Sequence, residues 1–184
     1  MKLVFILLCC AICGACFGIS FEAEELCFSL QRGFWEMDGL FHFANYAAEQ
    51  VSKTIYFPIP EDSLSLHPEL ILLEVLDDSL ATCRFLTQGK GGFSFTLTMP
   101  ARHFCTLRIA YRQTLLGNTA KYIISTANSW GKPLAYASYV LEVGDGISIT
   151  KAPFPPQQSC GNEYEWMFEN FSPASEFELE FSYN

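Results

Sequence analysis

One stretch of alternating side chains, residues 91–111, constrains the fold of this chain more than any other. A period of two between apolar and polar residues is typical of a strand with one buried face. The stretch holds two such runs, separated by Pro100. The apolar positions are Phe93, Phe95, Leu97 and Met99 in the first run, and Cys105, Leu107, Ile109 and Tyr111 in the second. It therefore predicts two strands around a proline-led turn, from which a β-sandwich is built outward.

Further short strands are predicted on both sides of this stretch. Residues 82–86 face residues 93–99 across a glycine-rich loop, which predicts a hairpin. Residues 135–143 and 147–150 flank Gly-Asp-Gly and predict a second hairpin. The near-continuous apolar run 69–76 indicates a strand buried on both faces.

Other segments are less regular. Two prolines in residues 54–60 predict an edge strand or an extended connection. Residues 40–51 fit a short helix or an irregular loop, and Asp77-Asp78 is interpreted as a turn. In residues 177–183 the aromatic and leucine side chains face inward while glutamates face outward, which predicts a strand at a sheet edge. Short strands separated by frequent turns predict an all-β fold, an antiparallel β-sandwich of jelly-roll type.

The first eighteen residues have the pattern of a secretory signal. Lys2 is followed by an apolar run and then by small residues near Gly18. Cleavage there leaves residues 19–184, a length typical of one domain. We therefore expect a secreted, extracellular protein with no segment inserted in a membrane.

The cysteines outside this signal predict two disulfides. Cys27, Cys83, Cys105 and Cys160 are an even number in an exported chain. Three pairings are possible, and Cys83–Cys105 with Cys27–Cys160 is the one we favour. A metal site is the alternative, but the sequence has no CxxC or HxxxH spacing.

Charge and motifs narrow the classes of function. A formal net charge of −9 argues against nucleic acid as a partner, because phosphate binding needs concentrated lysine and arginine. The sequence contains no G-x-S-x-G, phosphate-binding glycine loop or H-E-x-x-H motif. His42, His67 and His103 are far apart along the chain. These observations predict a protein that is not an enzyme and needs no cofactor.

Aromatic residues supply the candidate binding site. Trp130 stands in a polar, turn-rich segment with Asn128, and Tyr136 follows closely. An exposed indole and phenol can stack on a sugar ring while an amide binds its hydroxyls. The alternative interpretation is that Trp130 covers the edge of the core. Separately, Asn170-Phe171-Ser172 is a sequon, which predicts a surface glycan on Asn170 in a eukaryotic secretory route.

Two segments resemble a known group of domains. Phe21-Glu22-Ala23-Glu24-Glu25 resembles the opening of jelly-roll carbohydrate-binding modules and related galactose-binding-like domains. Residues 95–100 leading into 104–111 look like the strand, proline turn and strand of the same domains. The resemblance implies an extracellular glycan ligand and a structural calcium held in part by Glu24.

The sequence therefore predicts a secreted binding module, for carbohydrate in the first place. An alternative is a secreted structural or protein-interaction domain, and a third is a carrier of a hydrophobic ligand. Exposed coplanar aromatics would favour sugar, a flat apolar patch would favour a protein partner, and a cavity between the sheets would favour a hydrophobic ligand.

Overall fold

The computed structural model describes residues 18–76 and 80–184, so the predicted signal and the Asp77-Asp78 turn lie outside the described residues. It is an all-β structure with a single short 3-10 helix, Ser125–Trp130, in the described ranges. The strands are β1 (Ile19–Gln31), β2 (Phe34–Asn45), β3 (Val51–Pro58), β4 (Glu69–Leu76), β5 (Thr82–Gly89), β6 (Gly92–Met99), β7 (His103–Thr114), β8 (Thr119–Tyr122), β9 (Leu134–Val143), β10 (Ile147–Lys151), β11 (Gln158–Cys160), β12 (Glu163–Phe171) and β13 (Phe177–Tyr183).

These strands form three sheets. A seven-stranded sheet, called here the large sheet, has the order β11-β12-β9-β1-β2-β7-β4. The β3 sheet has the order β3-β6-β5, and the β13 sheet has the order β10-β13-β8. Strands β1 and β9 pair in parallel, and the other paired strands of these sheets are antiparallel.

The two small sheets pack against one face of the large sheet, called here its inner face. Phe28 on β1 stacks on Phe177 of the β13 sheet, with ring centroids 5.0 Å apart. Phe41 on β2 meets Phe57 of the β3 sheet edge to face at 5.5 Å. Both contacts belong to one continuous core, so the fold is sandwich-like, with two layers built from three sheets.

The predicted central pair of strands exists, but its members do not pair with each other. Strand β6 lies between β3 and β5, whereas β7 lies between β2 and β4 in the large sheet. The buried amide of Asn45 explains the crossing, because it donates to the carbonyl oxygens of Met99 and Pro100 at 3.2 and 2.7 Å. The chain therefore changes sheets at the proline instead of forming a hairpin.

The predicted hairpin of residues 135–150 is wrong for a similar reason. Strand β9 belongs to the large sheet and β10 to the β13 sheet. Between them, the amide of Gly144 donates to the carbonyl of Leu30 at 2.8 Å, which fixes the end of β9 beside β1. The chain then turns into the second layer.

Several local predictions are confirmed. Strands β5 and β6 form the expected hairpin, and β3 is an edge strand. Phe177, Leu179 and Phe181 of β13 are buried, but β13 is the central strand of its sheet, so the predicted edge position is wrong. Residues 40–45 belong to β2. Strand β4 lies at the edge of the large sheet and leaves Ile71 exposed, so burial on both faces is also wrong.

The predicted disulfides are not formed in the described structure. Cys27 lies on β1 and Cys160 on β11, with β9 and β12 between them. Three strand spacings of about 4.8 Å separate such residues by roughly 14 Å, whereas bridged cysteines have Cα atoms within about 7 Å of each other. Cys83 and Cys105 lie on different sheets, on β5 and β7. Burial raises the pKa of the Cys83 thiol to about 11.

We expect iodoacetamide to label Cys27 and Cys160 in the folded protein without reductant, because both side chains are exposed. Labelling of Cys27 should be slow, because partial burial and the nearby carboxylate of Asp38 raise the pKa of its thiol. Peptide mapping by mass spectrometry measures this. Recovery of a crosslinked Cys27–Cys160 peptide would show that the strand order is wrong.

The described part of the chain contains no helix of the length and apolarity needed to cross a bilayer.

Candidate functional site

The main cavity of the described structure lies between the two small sheets. Its sides are the edge strand β3 on one hand and the segment from β8 through the 3-10 helix on the other. Its floor is the inner face of the large sheet, where Phe41 and Ile109 lie. The cavity has a volume of 410 Å³. We call it the inter-sheet pocket.

Apolar side chains make up most of the lining. Aromatic rings come from all three sheets, and aliphatic side chains come from β3, β7 and the segment after β8. The apolar lining residues are Phe21, Phe41, Phe43, Ile55, Phe57, Pro58, Phe95, Ile109, Ile123, Ile124, Ala127 and Trp130. A concave site of this size and lining, with a few polar groups, is typical of small-molecule binding.

Glu24 is the acidic residue of the lining. Its side chain is buried, at 2 % exposure, and the hydroxyl of Tyr139 donates to its carboxylate at 2.5 Å. Burial raises the pKa of Glu24 to about 7, although hydrogen bonds from Tyr139 and Tyr122 oppose the shift. At neutral pH this carboxyl group is therefore divided between its protonated and ionised forms.

A β-bulge brings Glu24 to the pocket. The register of β1 on β2 shifts between Phe21 and Ala23. Without the bulge, Phe21 and Glu24 would lie on opposite faces of the sheet, because side chains alternate with period two. With it, both face the pocket.

The surroundings of Glu24 do not fit the calcium implied by the resemblance. Calcium takes six to eight oxygen ligands, of which several are carboxylates. Glu24 instead accepts tyrosine hydroxyls, and the described residues contain no group of three or more His, Cys, Asp or Glu placed to hold a metal.

Trp130 lies at the mouth of the inter-sheet pocket, at the end of the 3-10 helix. Its ring packs obliquely on Phe21 and Phe43, at centroid distances of 5.8 and 5.6 Å. The ammonium of Lys53 lies 3.8 Å from the Trp130 ring centroid on strand β3's side. Trp130 is therefore half-buried and covers the core edge, the second of the two interpretations of the sequence.

The 3-10 helix is held in place by hydrogen bonds to the segment before β13. The carboxylate of Glu176 accepts from the backbone amides of Ile124 and Ser125 at 2.8 and 3.1 Å. The side-chain amide of Asn128 donates to the carbonyl of Pro173 at 2.8 Å. Asn128 thus anchors the helix, and it is not part of the pocket lining.

The structure does not bring the three predicted ligand residues together. Tyr136 lies on the outer face of the large sheet, where its hydroxyl donates to Glu25 at 2.6 Å. Trp130 and the pocket lie on the inner side. Sequence reasoning placed Tyr136 beside Trp130 because they are close along the chain, but the alternation of β9 points Tyr136 away from the core.

The outer face of the large sheet carries a hydrogen-bonded relay that the sequence did not reveal. His42 bonds Thr106 through Nδ1 and Glu25 through Nε2, each at 3.0 Å. The order is that of a nucleophile, base and acid. Neighbouring strands pair β1, β2 and β7 on both sides, so their backbone amides are committed to the sheet and offer no oxyanion site.

Asn170, the predicted glycosylation site, is exposed at the end of β12. Its φ of 49° lies in the left-handed region that asparagine tolerates better than most residues. Glycosylation of Asn170 stays a prediction.

Two solved structures share this fold. One is a protein of Legionella pneumophila proposed to be a nutrient binding protein, with a TM-score of 0.60, 14% identity, and coverage of 89% of this chain and 66% of that one. The other is native yeast LTA4 hydrolase, with a TM-score of 0.52, 10% identity, and coverage of 89% of this chain and 29% of that one. This chain therefore spans less than two thirds of either protein's length.

No protein-family profile matches the sequence, and no curated protein matches it. Neither of the two structures is described as a carbohydrate-binding module. At these identities the likeness establishes a shared fold and no more.

Proposed function

We propose that this protein is a non-catalytic binding module that takes a small, largely apolar molecule into the inter-sheet pocket. The observation that carries the proposal is the pocket itself, a 410 Å³ cavity lined mainly by aromatic and aliphatic side chains. Burial of apolar surface there would supply the binding free energy, and the few polar groups would orient the ligand.

An apolar ligand is better supported than the carbohydrate predicted from the sequence. Sugar recognition needs an open aromatic face, but Trp130 packs on Phe21 and lies under Lys53. Tyr136 is on the opposite face of the large sheet. The third alternative from the sequence, a carrier of a hydrophobic ligand, is the one that required a cavity between the sheets.

The proposal keeps the predicted export of the chain, and it is consistent with the description of the Legionella protein as nutrient binding. That description concerns the other protein, and the fold is what the two chains share.

Decanol is a suitable neutral probe for the inter-sheet pocket. We expect saturable binding by isothermal titration calorimetry with a negative heat-capacity change, the signature of apolar burial. Ser129→Trp adds a ring to the mouth and should weaken binding at least tenfold, because Ser129 is an exposed residue of the pocket lining.

Ser159→Trp is the matched control, because Ser159 is exposed on β11 and is not part of the pocket lining. Its affinity for decanol should equal that of the wild type. Absence of saturable binding by decanol, decanoate and decylamine alike would overturn the proposed function.

A further inference from the structure

Lys53 occupies a position that the strand pattern reserves for the core. On β3 it lies on the same face as Ile55 and Phe57, and its register partner on β6 is the buried Leu97. The ammonium nevertheless reaches the edge of the layer, where it lies over Trp130. Lys53 and Trp130 together form the mouth of the inter-sheet pocket.

The charge of Lys53 is not neutralised by a carboxylate. Within the described ranges, three other lysines each pair with a glutamate at 3.5 Å or closer, as Lys121–Glu178, Lys132–Glu22 and Lys151–Glu180. Lys53 has an aromatic partner in place of an acidic one. In a chain with 20 acidic and 11 basic residues, a lysine without an acidic partner stands out.

The rest of the lining leaves this positive charge uncompensated. Glu24 is the pocket's one carboxyl group among the described lining residues, and it is buried and bound by Tyr139. Burial raises the pKa of Glu24 to about 7, so below neutral pH the floor is largely uncharged. The pocket thus has a cation at its mouth and an apolar interior.

We propose that the ligand of the inter-sheet pocket is an aliphatic monoanion, with its headgroup at Lys53 and its chain lying toward Glu24. This inference rests on the proposed function and adds the chemical class of the ligand. A carboxylate at the mouth would give Lys53 a charge-assisted hydrogen bond in a partly desolvated place, where such bonds are strongest. A single ammonium matches a headgroup of one negative charge.

A structural role for Lys53 makes a different prediction. Inward-pointing charges on edge strands prevent strands of other molecules from pairing. If that were the whole role of Lys53, its replacement would change self-association but not the preference of the pocket between charged and neutral ligands.

Decanoate and decanol, which share a chain length, separate these cases. Titrations belong at about pH 6, where Glu24, with a pKa of about 7, is mostly protonated and an aliphatic carboxylate is ionised. We expect the wild type to bind decanoate at least tenfold more tightly than decanol. Lys53→Met should remove this preference and leave decanol affinity within twofold of the wild type, and Lys53→Arg should retain it.

Lys90→Met is the matched control, because Lys90 is exposed and is not part of the pocket lining. It should leave both affinities unchanged, and thermal melting verifies that each variant is folded. Equal binding of decanoate and decanol by the wild type, or a preference that survives Lys53→Met, would overturn this inference while leaving the proposed function intact. Binding of neither probe would overturn both.

Discussion

Replacing Glu24 with glutamine is expected to change the pH dependence of stability by about 3 kcal/mol between about pH 4.5 and pH 7. The carboxyl group has a pKa of about 7 in the folded protein against an ordinary value of 4.5. Each unit of difference corresponds to about 1.4 kcal/mol. Few single groups in a domain of this size have a comparable effect.

The direction follows from which state binds the proton. Below pH 4.5, Glu24 is protonated in both the folded and the unfolded chain, and the raised pKa has no effect. Between these two pKa values the unfolded chain releases the proton while the folded chain retains it, so the free energy of unfolding falls as the pH rises. Above about pH 7 both forms are ionised and the loss reaches its full value. Glutamine does not titrate, so it should lack this loss.

Urea unfolding of both proteins at a series of pH values measures the effect. The free energy of unfolding of Glu24→Gln minus that of the wild type should rise with pH across this window. Glu25→Gln is the control, because a hydrogen bond from Tyr136 lowers the pKa of the more exposed Glu25. That variant should show the opposite direction with a smaller amplitude. A flat difference for Glu24→Gln would mean that Glu24 is hydrated and that the pocket floor is open to water.

The pocket and this titration are physically connected. An apolar ligand excludes water from the floor, and ionisation of a carboxyl group is less favourable in such surroundings. A bound ligand should therefore keep Glu24 protonated to a higher pH, and affinity should fall as the pH rises above about 7. The proposed anion would add repulsion from an ionised Glu24 in the same direction.

The sequence predicted individual strands well because alternation is a local property. The inward positions of β6 and β13 are buried as expected, and prolines correctly marked β3 as an edge strand. Pairing between strands is not local. The chain crosses between layers after Met99 and after Val143, where the contacts of Asn45 and Gly144 with distant backbone decide its course. A turn signal in the sequence does not distinguish such a crossing from a hairpin.

The site was harder to predict than the strands. Glu24 was singled out through a resemblance, but the bulge in β1 that points it into the pocket leaves no clear sign in a single sequence. Lys53 was missed because a lysine beside Thr54 in a proline-flanked strand looks like a solvent-exposed residue. Register partners such as Leu97 identify its inward position, and register is known only once the sheets are assembled.

Replacing Gly92 with alanine is expected to destabilise the protein by roughly 3 kcal/mol. Gly92 has a φ of +148°, which side-chain-bearing residues rarely adopt, and a Cβ atom there would lie 2.2 Å from the carbonyl oxygen of Phe57. The obstacle is backbone, so β3 itself must move. Because β3 carries Lys53 and Ile55, we also expect the variant to bind decanol and decanoate more weakly.

Gly89→Ala is the matched control in the same hairpin, because a Cβ atom at Gly89 would meet nothing within 4 Å. It should change the free energy of unfolding by less than about 0.5 kcal/mol, as ordinary surface substitutions do. Urea unfolding of the two variants gives the comparison directly. If Gly92→Ala matched Gly89→Ala, β3 would not pack against Gly92 as described, and the wall of the inter-sheet pocket that carries Lys53 would have to be placed elsewhere.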